Sequence, residues 1–389
     1  MIALDLVGGL VLRPDAGLVR DRLSLADGRI VADPVGRAVD LTGYLVLPGI
    51  VDAHGDGFER HLAPRRGAMT ELESGLQAVD AELAANGITT GVLAQFMSWE
   101  GGLRGAEFAD RVFSALKAAR GDLLTDMVRQ LRFETHLLED HAGLPDRLAR
   151  WGVSYVVFND HLPHQRLSEG RRPPRLTGQA LKAGRNPEAH FALMQELHAR
   201  TAEVPAALDR LTAQLAEQGV RMGSHDDRTA LQRADWRARG VTVSEFPETR
   251  EAAEAARSGG DRIVFGAPNV VRGGSHNGNV PAAEMVAAGL CDALASDYHY
   301  PSIRRAVRRL VADAGTDFAA TWALVSDGPA RVLGLQDRGR LEPGLRADLV
   351  VMEPETGRIG ATFSGGRVAY MAGDVAERVF HQGALPPSS

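Results

Sequence analysis

Residues 47–61, LPGIVDAHGDGFERH, join an apolar run to two histidines, three acids and three glycines. The apolar residues at 45–47 and 50–51 predict one short strand that is buried on both faces. His54 and Asp56 follow where this strand should end. Because they are one residue apart, their side chains point to the same side of an extended backbone. Imidazole and carboxylate groups in this position indicate a candidate metal site.

The middle of the chain alternates between strand and helix patterns. Short apolar runs rich in β-branched residues occur at 88–93, 131–133, 155–158, 220–222, 241–243, 263–265 and 293–294. Helical patterns such as GLQAVDAELAANG (75–87) lie between them. Counting the opening strand, eight strands alternate with helices, which predicts a (β/α)8 TIM barrel of the α/β class. Catalytic residues of such barrels gather at the carboxyl ends of the strands.

The two ends of the chain have a different pattern. Residues 1–48 alternate short apolar runs with turn signals such as Asp27-Gly28, and residues 347–373 repeat that pattern. We therefore expect residues 1–48 and 338–389 to pair into one small β-sandwich domain, which leaves residues 49–337 for the barrel.

Composition narrows the class of function. The formal charge of -6, from 44 basic and 50 acidic residues without a block of one sign, argues against a nucleic-acid or membrane partner. The single cysteine, Cys291, excludes a disulfide framework and a cysteine zinc site, as expected in a reducing compartment. The first residues, MIALDLVGG, lack the basic and apolar regions of a signal peptide. We therefore expect a cytoplasmic protein that acts on a small substrate.

Further acids and histidines follow other predicted strands. FETHL (133–137) follows the third strand and NDHLPHQR (159–166) the fourth, whereas SHDD (224–227) follows the fifth. A lone histidine after a strand is more often structural, so a metal site is indicated only by several such residues taken together. The residues that together indicate a metal site are His54, Asp56, His225 and Asp297. Such ligands without thiolates suit Zn, Mn or Fe held with open positions for water.

The acids of SHDD have a second interpretation. Asp226 and Asp227 lie just before a helix that is expected to begin near Thr229. Aspartate is a favoured N-cap residue, so these two acids could cap that helix instead of binding a metal. The sequence leaves both interpretations open.

The seventh strand ends in a loop, VRGGSHNGN (271–279), that combines glycines with a cation. Exposed amides and a fixed positive charge favour an anion such as phosphate. The candidate contacts are Arg272, Gly273, Gly274, Ser275 and His276. The spacing matches neither a Walker A nor a Rossmann fingerprint. A glycine loop that needs positive φ angles is the alternative.

More cations follow the first strand. Arg60, His61, Arg65 and Arg66 lie close in sequence to the candidate metal ligands. Surface arginines usually form a solvated face, but this group would neutralise an oligophosphate well.

Motifs spread over nearly the whole chain resemble the PhnM family of the amidohydrolase superfamily, the α-D-ribose 1-methylphosphonate 5-triphosphate diphosphatases of bacterial phosphonate breakdown. They are LPGIVDAHGD, GITT, NDHLPHQR, SHDD, EFPET, GAPNVVRGGSHNGNV and SDYHYPS. The combination of HxD, in place of the superfamily's more usual HxH, with SHDD and GAPNVVRGGSH resembles this family and few others.

The resemblance implies one or two divalent metal ions, Zn, Mn or Fe. His54 and Asp56 would bind one ion, and His161 and His225 the second. Two further roles belong to carboxylates. Asp297 would bind the first ion and accept the proton of the attacking water, and Glu134 would bridge the two ions. If Glu134 does not bridge, the site holds one metal, because no lysine is present at the third or fourth strand end to form a bridging carbamate.

The resemblance also implies the reaction. Water would attack the α-phosphorus of the sugar 5-triphosphate and pyrophosphate would leave, with Arg272, the amides of Gly273 and Gly274, and Arg60 stabilising the charge. The expected partner is this small phosphorylated substrate, and assembly into a homo-oligomer is expected.

Departures from the family pattern keep other reactions open. The family usually has His-Thr-Asp-Asn where this chain has His54-Gly55-Asp56-Gly57, and a glycine where it has His164. These differences lie on the substrate side. The alternatives are a different phosphorylated substrate, hydrolysis of a C–N bond by a deacetylase, cyclic amidase or deaminase, and a non-catalytic metal-dependent binding protein.

Overall fold

A computed structural model describes residues 2–64, 71–274 and 278–380, which form a barrel and a β-sandwich. The strands are β1 (Leu4–Val7), β2 (Leu10–Arg13), β3 (Gly17–Arg20), β4 (Leu23–Ala26), β5 (Arg29–Val31), β6 (Ala38–Asp40), β7 (Leu45–Pro48), β8 (Ile50–Gly55), β9 (Ile88–Met97), β10 (Asp126–Glu134), β11 (Tyr155–Asn159), β12 (Arg221–His225), β13 (Val243–Glu245), β14 (Arg262–Gly266), β15 (Ala293–Ala295), β16 (Leu349–Met352), β17 (Ile359–Ser364) and β18 (Arg367–Met371). Strands β8 to β15 build the barrel, and the other strands build the sandwich.

Helices alternate with the barrel strands. They are α1 (Glu59–Leu62), α2 (Leu72–Ala85), α3 (Ala106–Ala119), α4 (Leu144–Trp151), α5 (His164–Ser168), α6 (Leu176–Lys182), α7 (Pro187–Ala199), α8 (Val204–Glu217), α9 (Ala230–Ala238), α10 (Arg250–Ser258), α11 (Ala267–Arg272), α12 (Ala282–Ala287), α13 (Ser302–Ala314), α14 (Phe318–Ala323), α15 (Asp327–Leu333) and α16 (Gly373–Phe380). In the described ranges, no helix is both long enough and apolar enough to cross a membrane.

The barrel sheet follows the order of the chain. Strands β8 to β15 pair in sequence, and each pair is parallel. A parallel bridge between Gly55 and Asp297 joins the end of the first strand to the segment after the last. The amide of Asp297 donates to the carbonyl of His54 over 3.1 Å, and the amide of Asp56 donates to the carbonyl of Asp297 over 2.9 Å. The predicted (β/α)8 barrel is confirmed.

Buried side chains stabilise this junction between β8 and the segment after β15, which we name the barrel seam. Asp52 of β8 accepts hydrogen bonds from the amide of Ser296 at 2.9 Å and from its hydroxyl at 2.5 Å. Burial raises the pKa of Asp52 to about 7 in spite of these bonds. A Cβ atom at Gly55 would lie 3.0 Å from Asp52 Oδ2 and 3.1 Å from Ser296 Oγ. Glycine at this position therefore allows the two strands to meet.

The predicted opening strand is two strands, so the expectation of a single one was wrong. β7 pairs antiparallel with β16 in the sandwich, whereas β8 pairs with β9 in the barrel. Gly49 lies between them, and a Cβ atom there would approach the side chain of Thr89 to 2.4 Å. The chain passes from one sheet to the other at a residue where no side chain fits.

Both ends of the chain build the sandwich, as predicted. One sheet has the order β5-β4-β1-β6, and the other has the order β18-β17-β16-β7-β2-β3. The second sheet joins the termini directly, because Leu349 of β16 is paired with Pro48 of β7. Leu4, Leu25 and Phe363 are buried in the core between the sheets. Burial of such side chains contributes about 1.5–3 kcal/mol each.

The barrel is packed on both sides of its strands. Tyr155, Val157, Val243 and Val264 pack in one buried cluster of strand residues, as in other filled barrels. A larger apolar layer, which includes Leu83 of α2 and Leu131 of β10, lies between strands and helices. This rigid layer positions the carboxyl ends of the strands.

Neither Asp226 nor Asp227 caps a helix, so that interpretation was wrong. Helix α9 is capped by Thr229, whose hydroxyl accepts a hydrogen bond from the amide of Gln232 at 3.1 Å. Asp227 is fully buried and lies 2.9 Å from the guanidinium of Arg233. Its role is to hold the inner side of α9 against the barrel.

We predict that Arg233→Met lowers the free energy of unfolding by about 3 kcal/mol, because buried carboxylates then lose their cation. Arg233 is fully buried and contacts Asp227 at 2.9 Å and Asp261 at 3.1 Å. Urea unfolding followed by circular dichroism measures the change. Arg250→Ala, which removes an exposed ion pair on α10, is the control. Equal stability of the two variants would contradict the prediction.

Candidate metal centre

Three strand ends bring together two imidazoles and a carboxylate, which we name the inner triad: His54 of β8, His225 of β12 and Glu245 of β13. Each offers one ligand atom, and these atoms lie within 4.8 Å of one another. His54 and Glu245 are fully buried. Two nitrogens and one oxygen form a ligand set that suits a divalent ion such as zinc with open positions for water.

Some buried atoms of the inner triad lack hydrogen bonds of good geometry. His54 Nδ1 lies 2.7 Å from Glu245 Oε2 in an ion-pair contact that lacks the angles of a hydrogen bond, and His54 Nε2 makes no hydrogen bond. Leaving such atoms without a partner is costly. The other oxygen, Glu245 Oε1, accepts hydrogen bonds from Tyr155 Oη at 2.5 Å and from Gln130 Nε2 at 2.8 Å. One oxygen is thus held in place while the other is left for a cation, as in known metal sites.

Burial and charge oppose each other within the inner triad. Burial acts to lower the pKa of His54, but the carboxylate of Glu245 outweighs it and the pKa is raised. Burial likewise acts to raise the pKa of Glu245, and His54 outweighs it. Burial and then the Arg132 charge lower the pKa of His225, which favours the neutral imidazole that binds metals.

A buried arginine lies beside the inner triad. Arg132 Nη2 is 3.0 Å from His225 Nε2 and donates to Asn159 Oδ1 over 2.9 Å. Its Nη1 lies 3.8 Å from Asp56 Oδ2, and its guanidinium carbon is 4.0 Å from the centre of the Phe96 ring. The side chain is 5% exposed. The site therefore contains a permanent positive charge in a largely water-free position.

The predicted ligands Glu134 and His161 pair with each other. Glu134 is fully buried, contacts His161 Nδ1 closely and accepts a hydrogen bond from the His161 amide at 3.2 Å. Burial acts to lower the pKa of His161, but the Glu134 carboxylate raises it. The ring centres of His161 and His225 are 6.4 Å apart. The structure thus places Glu245, and not Glu134, in the inner triad, and a bridging role for Glu134 stays a prediction.

Asp297 lies at the barrel seam with a carboxyl group of altered acidity. Burial raises its pKa to about 6, and the negative charge of Asp56 adds to this. Its backbone φ is +56°, and two further residues at strand ends, Asp226 and Phe246, have φ angles of +61° and +54°. Non-glycine residues rarely adopt this conformation, and such strain concentrates at functional sites.

Two of the predicted phosphate contacts, Arg272 and Arg60, lie against Tyr298, next to Asp297. Arg272 Nη1 donates to Tyr298 Oη over 2.9 Å, and Arg60 Nη1 donates to the Tyr298 carbonyl over 3.1 Å. Arg60 also forms an ion pair with Glu82. Gly273 has a φ of +80° and ends α11. The alternative interpretation of this glycine, a backbone position that needs a positive φ, therefore applies. Gly274, with a φ of +154°, also adopts a conformation that favours glycine.

Some of the predicted contacts cannot be placed. Ser275 and His276 lie outside the described residues, as do Arg65 and Arg66.

A cavity of about 550 Å³ opens next to the inner triad. His161, His225 and Asp226 line it on one side, with Asp160 and His164 also on its wall. Burial acts to raise the pKa of Asp226, but the neighbouring His225 lowers it to about 2. The cavity is large enough for a phosphorylated sugar.

Two residues of this site, Glu245 and Arg132, were not assigned from the sequence. Gln130, Arg132 and Glu134 alternate with the apolar Leu131 and Phe133, so one face of β10 is polar. That alternation in a buried strand is a signal for polar side chains pointing into the barrel. Glu245 ends a strand and directly precedes a residue of positive φ.

Comparison with known proteins establishes the family. A family model described as "Amidohydrolase family" matches residues 58–370, and the chain belongs to this family. Over 331 residues the chain is 35% identical to the alpha-D-ribose 1-methylphosphonate 5-triphosphate diphosphatase of Escherichia coli (strain K12). The match covers 81% of this chain and 84% of the relative. The chain is thus a PhnM-like amidohydrolase, and the resemblance found in the motifs is confirmed.

Solved structures share the fold. N-acyl-D-glutamate deacylase from Bordetella bronchiseptica, in complex with zinc and a phosphonate inhibitor, matches with a TM-score of 0.61 at 17% identity, over 98% of this chain and 97% of that one. Molinate hydrolase matches with a TM-score of 0.62 at 15% identity, over 98% and 96% of the two chains. At these identities the likeness supports the barrel with its sandwich and carries no information on substrate.

We predict that Glu245→Gln strongly lowers the metal content of the purified protein, because the variant removes the charged oxygen that faces His54. Plasma mass spectrometry after dialysis measures the metal, and circular dichroism checks the fold. Glu254→Gln, an exposed acid on the following helix α10, is the control and keeps its metal. Metal content equal to that of the unchanged protein in Glu245→Gln would show that the inner triad holds no ion.

Proposed function

We propose that this chain is a metal-dependent diphosphatase that cleaves the α–β phosphoanhydride of α-D-ribose 1-methylphosphonate 5-triphosphate, or a close analogue, and releases pyrophosphate. The likeness to a relative of that name supports the proposal. The observation that carries it is the buried Arg132 guanidinium beside the inner triad.

A permanent cation at this position suits a phosphorylated substrate. A guanidinium offers paired N–H donors that match phosphate oxygens, and burial strengthens the attraction because water does not screen it. In-line attack on phosphorus places charge on the equatorial and leaving oxygens, which such a group stabilises. Hydrolysis of a neutral amide develops a single oxyanion and has less need of a second cation next to a metal.

Two further arginines extend the positive region. Arg60 and Arg272 both donate hydrogen bonds to Tyr298, one residue beyond Asp297. We assign them to the distal phosphates of the substrate. Since pyrophosphate is a good leaving group, its departure needs charge neutralisation more than a strong general acid.

The inner triad would hold the metal, and Asp297 would handle the proton. A divalent ion bound there would lower the pKa of a water molecule towards neutrality and so supply a nucleophile. With a pKa of about 6, the Asp297 carboxyl is mostly ionised at pH 7 and accepts a proton readily. We propose Asp56, His161 and Glu134 as the residues that complete the site for one or two Zn, Mn or Fe ions.

The experiment that tests this function follows products by phosphorus NMR. The metal-loaded protein is incubated with α-D-ribose 1-methylphosphonate 5-triphosphate, ATP and a panel of N-acyl amino acids. Pyrophosphate released from the ribose triphosphate by the unchanged protein, and not by Asp297→Asn, is the expected result. We predict that Arg132→Gln lowers kcat/KM for this substrate by about 10²–10³. Arg132→Lys, which keeps the charge, restores part of the loss.

Arg129→Gln is the matched control for Arg132. Arg129 lies on the same strand, but it donates to the carbonyls of Trp151 and Gly152, away from the inner triad. Its activity should equal that of the unchanged protein. Release of single phosphate would move the attack to the terminal phosphorus. Turnover of an amide with no reaction of any phosphate would reject the diphosphatase and favour a C–N hydrolase.

A further inference from the structure

A second group of metal-type ligands lies outside the inner triad, and we name it the outer cluster: His136, Asp160 and His164. Three separate segments supply it. His136 follows β10, Asp160 follows β11, and His164 begins α5. Each residue offers one ligand atom, and these atoms lie within 4.8 Å of one another. We propose that the outer cluster is a binding site for a zinc-like divalent ion, separate from the catalytic centre.

The side chains face the carboxylate of Asp160. His164 Nε2 lies 2.9 Å from Asp160 Oδ2, and His136 Nδ1 lies 3.6 Å from Asp160 Oδ1. The ring centres of the two histidines are 5.0 Å apart. Two imidazole nitrogens and one carboxylate oxygen form a set that binds zinc and related ions and leaves positions open for water.

The far nitrogens of both imidazoles are already occupied. His136 Nε2 is 3.2 Å from the hydroxyl of Thr201, and His164 Nδ1 is 2.8 Å from Nδ1 of His198 on α7. Histidines that bind metals are commonly oriented in this way, because a partner on one nitrogen fixes the ring and directs the other nitrogen at the ion. His198 is thus assigned as a positioning residue for His164.

The degree of burial allows an ion to enter. His136 is 2% exposed, whereas the side chains of Asp160 and His164 are 41% and 32% exposed. One ligand is therefore anchored in the protein interior and two lie at the surface of the cavity. Because Asp160 and His164 line the same cavity as His161, a bound ion would add positive charge to the wall of this cavity.

An Asp160–His164 ion pair without a metal is the competing explanation. Counting the bound ions distinguishes the two, because the ion pair needs none. Equilibrium dialysis of the full chain against rising free zinc, with bound zinc measured by plasma mass spectrometry, gives the number of sites. We expect Asp160→Asn and His164→Asn each to bind one zinc fewer than the unchanged protein.

Three further variants show whether the lost ion belongs to the outer cluster. His61→Gln replaces an imidazole bonded to Glu82, outside both groups, and should bind as many ions as the unchanged protein. His198→Gln should keep the number of sites but weaken one of them about 10- to 100-fold. Glu245→Gln should lose a different ion, so that its combination with His164→Asn loses both.

Circular dichroism spectra confirm that each variant is folded, and His164 is exposed enough to be replaced without disturbing the core. If Asp160→Asn and His164→Asn bind as many ions as the unchanged protein, the second site does not exist. That result would leave the proposed diphosphatase intact, because the outer cluster takes no part in its mechanism.

Discussion

Closure of the barrel between β8 and Asp297 is the constraint on which the rest of the structure depends. Two backbone hydrogen bonds hold His54 and Asp56 against Asp297, and the tight contact at Gly55 permits them. Because all eight strands are parallel, closure places every carboxyl end on one rim. Polar groups that are far apart in sequence are buried there together.

That convergence creates a charge problem that the site resolves in two ways. Glu134 and Glu245 are fully buried at this rim, and the carboxylate of Asp56 lies 3.8 Å from Arg132. Arg132 supplies one fixed cation, which also contacts His225 and Asn159. The atoms of His54 and Glu245 that lack hydrogen bonds suit a second cation, and we propose a divalent metal ion in this position. The site thus combines a permanent positive charge on Arg132 with buried ligand atoms that suit an exchangeable cation.

The sequence predicted the barrel, the sandwich built from both termini, and strand ends rich in acids and histidines, because these follow from periodicity and from the geometry of parallel strands. It did not predict that the chain passes from the sandwich to the barrel at Gly49, because an apolar run has the same pattern whether its residues pair in one sheet or in two. Glu245 was missed because its role depends on contact with His54, which is distant in sequence. Arg132 was overlooked although its alternation with Leu131 and Phe133 marks the polar face of β10.

Anomalous diffraction from zinc-loaded crystals, measured above and below the zinc absorption edge, would locate a bound metal ion without reference to activity. We expect a strong anomalous peak enclosed by His54, His225 and Glu245, with Arg132 beside it and not displaced into solvent. Zinc bound elsewhere with no peak at this position, under conditions where the enzyme is active, would show that the inner triad is not the catalytic metal site.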